Sequence, residues 1–530
     1  MLALLSRERT IAPPGFNRWL VPPAALAIHL SIGMAYGFSV FWLPLSQVIG
    51  ITEPAPNDWK ISTLGWMFTL FFIFLGSSAA LFGSWLERNG PRKAGVVAAF
   101  CWGGGFFISA LGVYYHQIVL LWIGSGVIGG CGLGLGYISP VSTLIKWFPD
   151  KRGMATGMAI MGFGGGAMIG APLADWLIKH FATPTSVGVW ETFVALGIIY
   201  FIAMMCGAFG YRIPAPGWKP ANWTPPAKVE NGMITHGHVN VNKVHLIPQF
   251  WLLWLVLCMN VSAGIGIIGM ASPMLQEIFG GKLIGVSLSL ADLDADGKAK
   301  LASIGAGFAA LLSLFNILGR IFWASLSDHI GRKWTYHIFF AGGIALYLGA
   351  ALLGNTSVLF FVIVFSIILT MYGGGFATIP AYLADLFGTQ YVGAIHGRLL
   401  TAWSTAGVLG PVLVNYLREY QLGRGVPPEA AYTTTLHVLA GLLLVGFICN
   451  LLVRPVAAHH MMEDEELRQV QPVIPEPEKT GPQLDTPARL APGLMGTGSN
   501  FFVGIAWALV SIPLLWGIQK TLEKAINLFR

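Results

Sequence analysis

Charge is what this 530-residue chain has least of: 31 Lys and Arg and 24 Asp and Glu make up only 10% of it. So few charged groups cannot cover the surface of a soluble protein of this size. Cysteine is scarce as well. Cys101, Cys131, Cys206, Cys258 and Cys449 all fall in apolar stretches. They offer no loop pair for a disulfide and no C-x-x-C or Cys/His spacing for a metal, and they read as small packing residues. No nucleophile–base pair, metal-ligand set or cofactor motif stands out, so neither an enzyme, a cofactor nor a metal is expected. The N-terminus lacks a signal-peptide layout. Its first apolar stretch is long and reads as a retained span.

What is abundant is apolar surface. Hydrophobic residues make up 55% of the chain and the mean hydropathy is +0.67, the composition of a polytopic helical membrane protein. The 67 glycines suit helices that pack closely in lipid, where small residues take the place of a hydrophobic driving force. Thirteen stretches are long and apolar enough to span a bilayer, among them residues 300–326, 393–417 and 501–519. The net charge of +7 is not a nucleic-acid signal, because the basic residues lie mainly in short loops. Arg7, Arg9 and Arg18 precede the first span, Arg88, Arg92 and Lys93 follow the second, and Arg332 and Lys333 follow the eighth. The alternation puts the N-terminus and the end of the twelfth span in the cytoplasm of a multi-pass cell (inner) membrane protein.

A polar loop, residues 212–247, separates two six-helix bundles, residues 1–211 and 248–454. The two halves repeat. Gly83-x-x-x-Glu87-x-x-Gly90 runs on to Arg92 and Lys93, as Ala324-x-x-x-Asp328-x-x-Gly331 runs on to Arg332 and Lys333. Pro140, Gly153 and Gly157 recur 240 residues later as Pro380, Gly393 and Gly397. A parallel duplication of this kind implies a substrate site between two bundles near the bilayer midplane. Residues 455–500 are Pro-rich and polar, and read as a disordered tether. Residues 501–530 form an additional helix. Lys520, Lys524 and Arg530 at its far end leave a transmembrane and an interfacial placement both open.

One charged residue sits deep inside an apolar span. Arg320 lies about 12 Å from Asp328 at the helical rise, well below the water interface. Burial there costs several kcal/mol, which is tolerable only if the guanidinium faces a cavity or a partner. It therefore reads as the anion-binding centre of a transporter. His29, also inside a span, reads as a packed, hydrogen-bonded side chain.

The charged turns resemble the loop motif of the major facilitator superfamily. Lys146-Trp-Phe-Pro-Asp-Lys-Arg-Gly-Met-Ala-Thr-Gly and the stretch from Asp385 to Trp403 look like the oxalate:formate antiporter family, related to the monocarboxylate transporters. The resemblance implies an all-α membrane protein with the major facilitator fold: two six-helix bundles related by a pseudo-two-fold, plus the extra C-terminal helix. It also implies alternating-access transport of small mono- or dicarboxylates. Gly83, Glu87, Gly90, Arg92, Asp328, Gly331 and Arg332 would gate one face, and Arg320 would bind the carboxylate through its two-pronged donor fork. Asn316 stands where the monocarboxylate relatives carry a proton-accepting Asp, and Trp403 where the oxalate transporter carries a second cation. Asn316 does not titrate, which favours exchange over proton symport. The single cation favours a monocarboxylate, or a weaker dicarboxylate site. Arg398 lies too near the mouth to replace the missing cation. Tyr36, Tyr137 and Tyr372 would complete the pocket. The expected partners are a small carboxylate and the lipid bilayer, with no nucleic acid, and the chain is expected to act as a monomer. A proton-coupled monocarboxylate symporter and a transporter-like membrane sensor are the alternatives.

Overall fold

A computed structural model describes residues 2–225, 232–290, 292–463, 465–467 and 496–526. Long helices dominate, and we number the spans α1 to α13. They are α1 Arg18–Leu45, α2 Ile61–Asn89, α3 Pro91–Tyr114, α4 Ile118–Trp147, α5 Arg152–Phe181, α6 Val189–Gly210, α7 Pro248–Phe279, α8 Ala295–Ile330, α9 Arg332–Leu353 and α10 Val358–Phe387. They continue with α11, made of Val392–Leu399 and Thr401–Gly423, then α12 Thr433–Leu452 and α13 Gly496–Ala525. Among the described residues there is no strand, only isolated bridges such as Ile11–Ile213. In lipid this is the expected outcome, since a helix satisfies its own backbone donors and acceptors.

Twelve of the thirteen are long and apolar enough to cross a membrane. The exception is α11, which breaks at Leu400 and carries His396, Arg398, Thr401, Ser404 and Thr405. Two of these polar groups bond inside the protein. Ser404 Oγ donates to the Phe72 carbonyl at 2.6 Å, and Thr401 Oγ1 accepts from Trp254 Nε1 at 2.8 Å.

Helices α1 to α6 pack on one another, as do α7 to α12. The two bundles meet along two equivalent seams, α2 against α11 and α5 against α8. The approach is close where side chains vanish. A Cβ on Gly33 would come 2.2 Å from the Phe163 carbonyl of α5, and one on Gly319 would come 2.2 Å from the Thr370 carbonyl of α10. Beside Gly33, α1 tightens into a 3-10 stretch, Gly33–Phe41, which carries Tyr36.

The last helix lies along the bundles, not across their end. Trp507 Nε1 donates to the Trp19 carbonyl at 3.1 Å near the start of α1. At the other end of α13, Lys524 presents its carbonyl 2.4 Å from where a Cβ of Gly307 in α8 would sit. In between, Gly517 packs against Met168 of α5. This helix thus touches both bundles and runs their length, the geometry of a span. Of the expected tether, Met461 bridges to Val239 and the Met462 N–H bonds to the His238 carbonyl at 2.8 Å. Its start therefore packs on the central loop, and residues 468–495 lie outside the described part.

Close packing makes a direct prediction. Gly319→Leu overpacks the α8–α10 contact and costs about 1–3 kcal/mol. Gly65→Leu, with open space around it, serves as the neutral control. Thermal unfolding in detergent is expected to show a lowered midpoint for the first variant only.

Candidate functional site

Asn316 and Arg320 are one helical turn apart on α8 and so share a face. That face points between the bundles. Arg320 is fully buried, at 0% exposure, and Asn316 is 4% exposed. Arg320 Nε donates to Asn316 Oδ1 at 3.3 Å, and Nη1 donates to the Ile160 carbonyl of α5 at 3.0 Å. Nη2 has no protein acceptor. Gly164 makes room for the group, since a Cβ there would sit 3.1 Å from Nε. The Phe163 and Phe376 rings flank the guanidinium carbon at 5.9 and 5.5 Å, where their π faces stabilise the cation by about 0.5–2 kcal/mol. Those contacts and two hydrogen bonds leave one prong of the fork free to bind an acceptor.

The aromatic residues expected from the sequence gather around this centre. Tyr36 and Tyr372 join α1 to α10 through their hydroxyls, 3.3 Å apart. The Trp403 ring lies 4.9 Å from Phe376, 5.3 Å from Phe163 and 5.2 Å from Tyr137. Trp403 Nε1 and Tyr137 Oη are buried without a partner. The structure thus brings Arg320, Asn316, Tyr36, Tyr137, Tyr372 and Trp403 into one cluster. Phe163 and Phe376 belong to it too, and sequence reasoning missed them, because nothing distinguishes a Phe facing a cation from one facing lipid. Arg398 turns away: its guanidinium bonds to the Val241 carbonyl and, at 3.2 Å, to Asn242 Oδ1 in the central loop. His29 is packed, with its ring nitrogens on the Ala159 and Tyr137 carbonyls at 2.5 and 3.1 Å.

The charged turns close one end of the cluster. Asp328, at the end of α8, accepts from the Gly153 and Met154 N–H groups at 2.8 and 2.9 Å. Those are orphan donors at the positive N-terminal end of α5. Glu87, at the end of α2, does the same at the start of α11, accepting from the Gly393 N–H at 3.0 Å. Each carboxylate therefore staples one bundle to the other, and the two staples are related by the internal repeat. Their arginines differ. Arg332 bonds to Asp328 at 2.6 Å and to Asp385 at 3.1 Å, and Asp385 also takes Arg152 of α5 at 2.9 Å. Arg92 does not reach Glu87. It donates to the Leu4 and Tyr211 carbonyls, while Lys146 pairs with Glu87 at 2.5 Å. Gly90 and Gly331 adopt φ of +88° and +86°, a region that glycine enters freely. At Gly83 a Cβ would come 2.7 Å from the Ala394 Cα of α11, so only glycine lets α2 lie this close. Lys146, Arg152 and Asp385 stand in the family-like stretches quoted above, but their ion pairs were not read from the sequence. A charge inside the apolar α10 was the available signal for Asp385.

Residues 24–411, and again 279–523, match the Major Facilitator Superfamily. The chain belongs to that superfamily. It is similar to the oxalate:formate antiporter of Oxalobacter formigenes, 27% identical over 74% of this chain and 83% of that protein. It is also similar to apicoplast pyruvate carrier 1 of Toxoplasma gondii, 24% identical over 65% of this chain and 67% of that one. Among solved structures, the E. coli fucose:proton symporter, FucP, superposes with a TM-score of 0.56 at 14% identity, covering 82% of this chain and 98% of that one. This likeness shows the fold. A major facilitator protein is a secondary transporter, and in this one the stapled end and the buried arginine lie on the same pair of helices, α5 and α8.

Removing a staple should loosen that end. In a background with the five free cysteines replaced by serine, a cysteine introduced at the buried Thr156 reports access. Asp328→Ala is expected to raise its labelling by a membrane-impermeant maleimide severalfold. Unchanged labelling would show that the staple does not hold the end shut.

Proposed function

We propose that the protein moves small organic anions, mono- or dicarboxylates, across the cytoplasmic membrane by alternating access, as an anion exchanger. The observation that carries this reading is Arg320, fully buried between the bundles with one guanidinium nitrogen unpartnered. A carboxylate meets that demand with two acceptor oxygens. Tyr36, Tyr137, Tyr372 and Trp403 limit the volume of the site and supply donors to the anion. Asn316 orients Arg320 through its Oδ1. The names of the two relatives, an oxalate:formate antiporter and a pyruvate carrier, support small carboxylates as the substrate class.

Glu87 and Asp328 form the gate. The end they close is the cytoplasmic one, with the N-terminus on the same side, because the short loops there carry Arg88, Lys93, Lys151 and Lys333. Exchange is favoured over proton symport at Asn316 because an amide does not titrate. The chain acts as a monomer, since the two seams that form the site are both internal.

Arg320→Gln keeps the shape and removes the charge. In proteoliposomes it is expected to abolish saturable formate and oxalate uptake while the protein remains inserted; normal uptake would sink the site assignment. Counterflow separates a carrier from a sensor, because preloading the lumen with unlabelled anion accelerates labelled uptake only through a carrier.

A further inference from the structure

His396 is a buried histidine that no part of this mechanism uses. It is 1% exposed, and neither ring nitrogen has a partner. Two unsatisfied ring nitrogens in an apolar interior are costly, so their retention needs an explanation. Position supplies one. His396 lies seven residues before Trp403, on the piece of α11 that starts at the staple on the Gly393 N–H. Its ring is 5.9 Å from Tyr137, which in turn is 5.2 Å from Trp403 and 5.4 Å from Phe163, the ring beside Arg320. Unpartnered polar atoms of Trp403, Tyr137 and His396 thus form a line from the arginine toward the gate.

The titratable and charged groups around His396 are few. Tyr137 faces it from α4. His29, from α1, stacks on the far side of that contact at 5.1 Å from Tyr137 and is held by two carbonyls. Glu87 of α2 lies one turn nearer the gate, on the Gly393 N–H and Lys146. Asp385 of α10 is committed to Arg152 and Arg332. None of these groups is hydrogen-bonded to the imidazole.

We propose that His396 is a proton-binding group linked to the charge of the substrate, so that a dianion enters the site together with one proton. The inference rests on the carboxylate reading of Arg320. Neither imidazole nitrogen is bonded by the protein, and Arg320 supplies the positive charge of the cluster. A bound monoanion is neutralised by Arg320. A dianion leaves one negative charge over, which reverses the local field and draws a proton from water onto His396. The reaction balances as site plus dianion plus hydron, with net charge conserved at the level of a bound monoanion. A dianion-for-monoanion exchange then moves no net charge.

Oxalate is the probe, because it stays doubly ionised above pH 6. Its binding to the purified full chain is measured by calorimetry from pH 6 to 8, in buffers of different ionisation enthalpy. Wild type is expected to take up close to one proton per oxalate, with affinity rising about tenfold per unit fall in pH. His396→Asn and His396→Gln, checked for monodispersity, are expected to bind oxalate without proton uptake and with a flat pH profile. His29→Asn should keep the wild-type slope. If oxalate binding depends on Arg320 but is flat with pH in wild type, the inference fails and the carboxylate reading stands. If the His396 variants lose affinity but keep the slope, the residue is structural and the inference fails. Binding of formate without any binding of oxalate overturns it as well. If neither anion binds, the carboxylate reading falls and takes the inference with it.

Discussion

A bilayer offers no water to a buried polar group, so each one must be satisfied by the protein or by what the protein binds. This constraint is sharpest at Arg320. Its guanidinium is held by the Asn316 side chain, the Ile160 carbonyl and two phenylalanine faces. The packing around it is arranged to keep it there. Gly164 yields space to Nε, and Gly319 lets α8 lie against α10. Asn316 accepts from one side of the fork while the other side stays free. An arginine fully paired by a carboxylate would be stable and inert. One paired by neutral acceptors and left short by a single bond keeps its charge available, as the proposed anion site requires.

The staples at the gate follow from the same economy of polar groups. The first N–H groups of a helix have no intrahelical acceptor, and at the starts of α5 and α11 they are met by carboxylates from the opposite bundle. A contact of this type satisfies both partners when closed, and under the proposed gating it would leave both free to be hydrated when open. The two staples are not copies. The Asp328 side is reinforced by a four-residue network with Arg152, Arg332 and Asp385, whereas the Glu87 side leans on Lys146 and Ser142. Duplication accounts for the shared geometry, and later divergence for the different partners.

Much of the architecture was legible in the residues alone. Apolar length gives the spans, the repeat of Gly90 and Gly331 gives the pseudo-symmetry, and a lone arginine in an apolar run gives the centre. Glu87 and Arg92 stand five residues apart in the turn, yet the structure gives Arg92 to the Leu4 and Tyr211 carbonyls and Glu87 to Lys146 and the Gly393 N–H. Neighbours in sequence are not always neighbours in space once a helix end has rotated. The polar residues of α11 lower its hydropathy below that of the other spans, and Thr401 and Ser404 among them bond inside the protein.

The sequence by itself determined that this is a multi-span helical protein with a duplicated core and one deeply buried cation. Composition, periodicity and charge act locally along the chain, and these features are local. Which side chains surround that cation was decided only by the tertiary structure. Phe163 and Phe376 come from two different helices, α5 and α10, and a phenylalanine in an apolar helix carries no mark of whether it faces lipid or a guanidinium. That distinction is set by helix rotation and by the close approaches that the glycines permit, which are properties of the packed bundle and of no single segment.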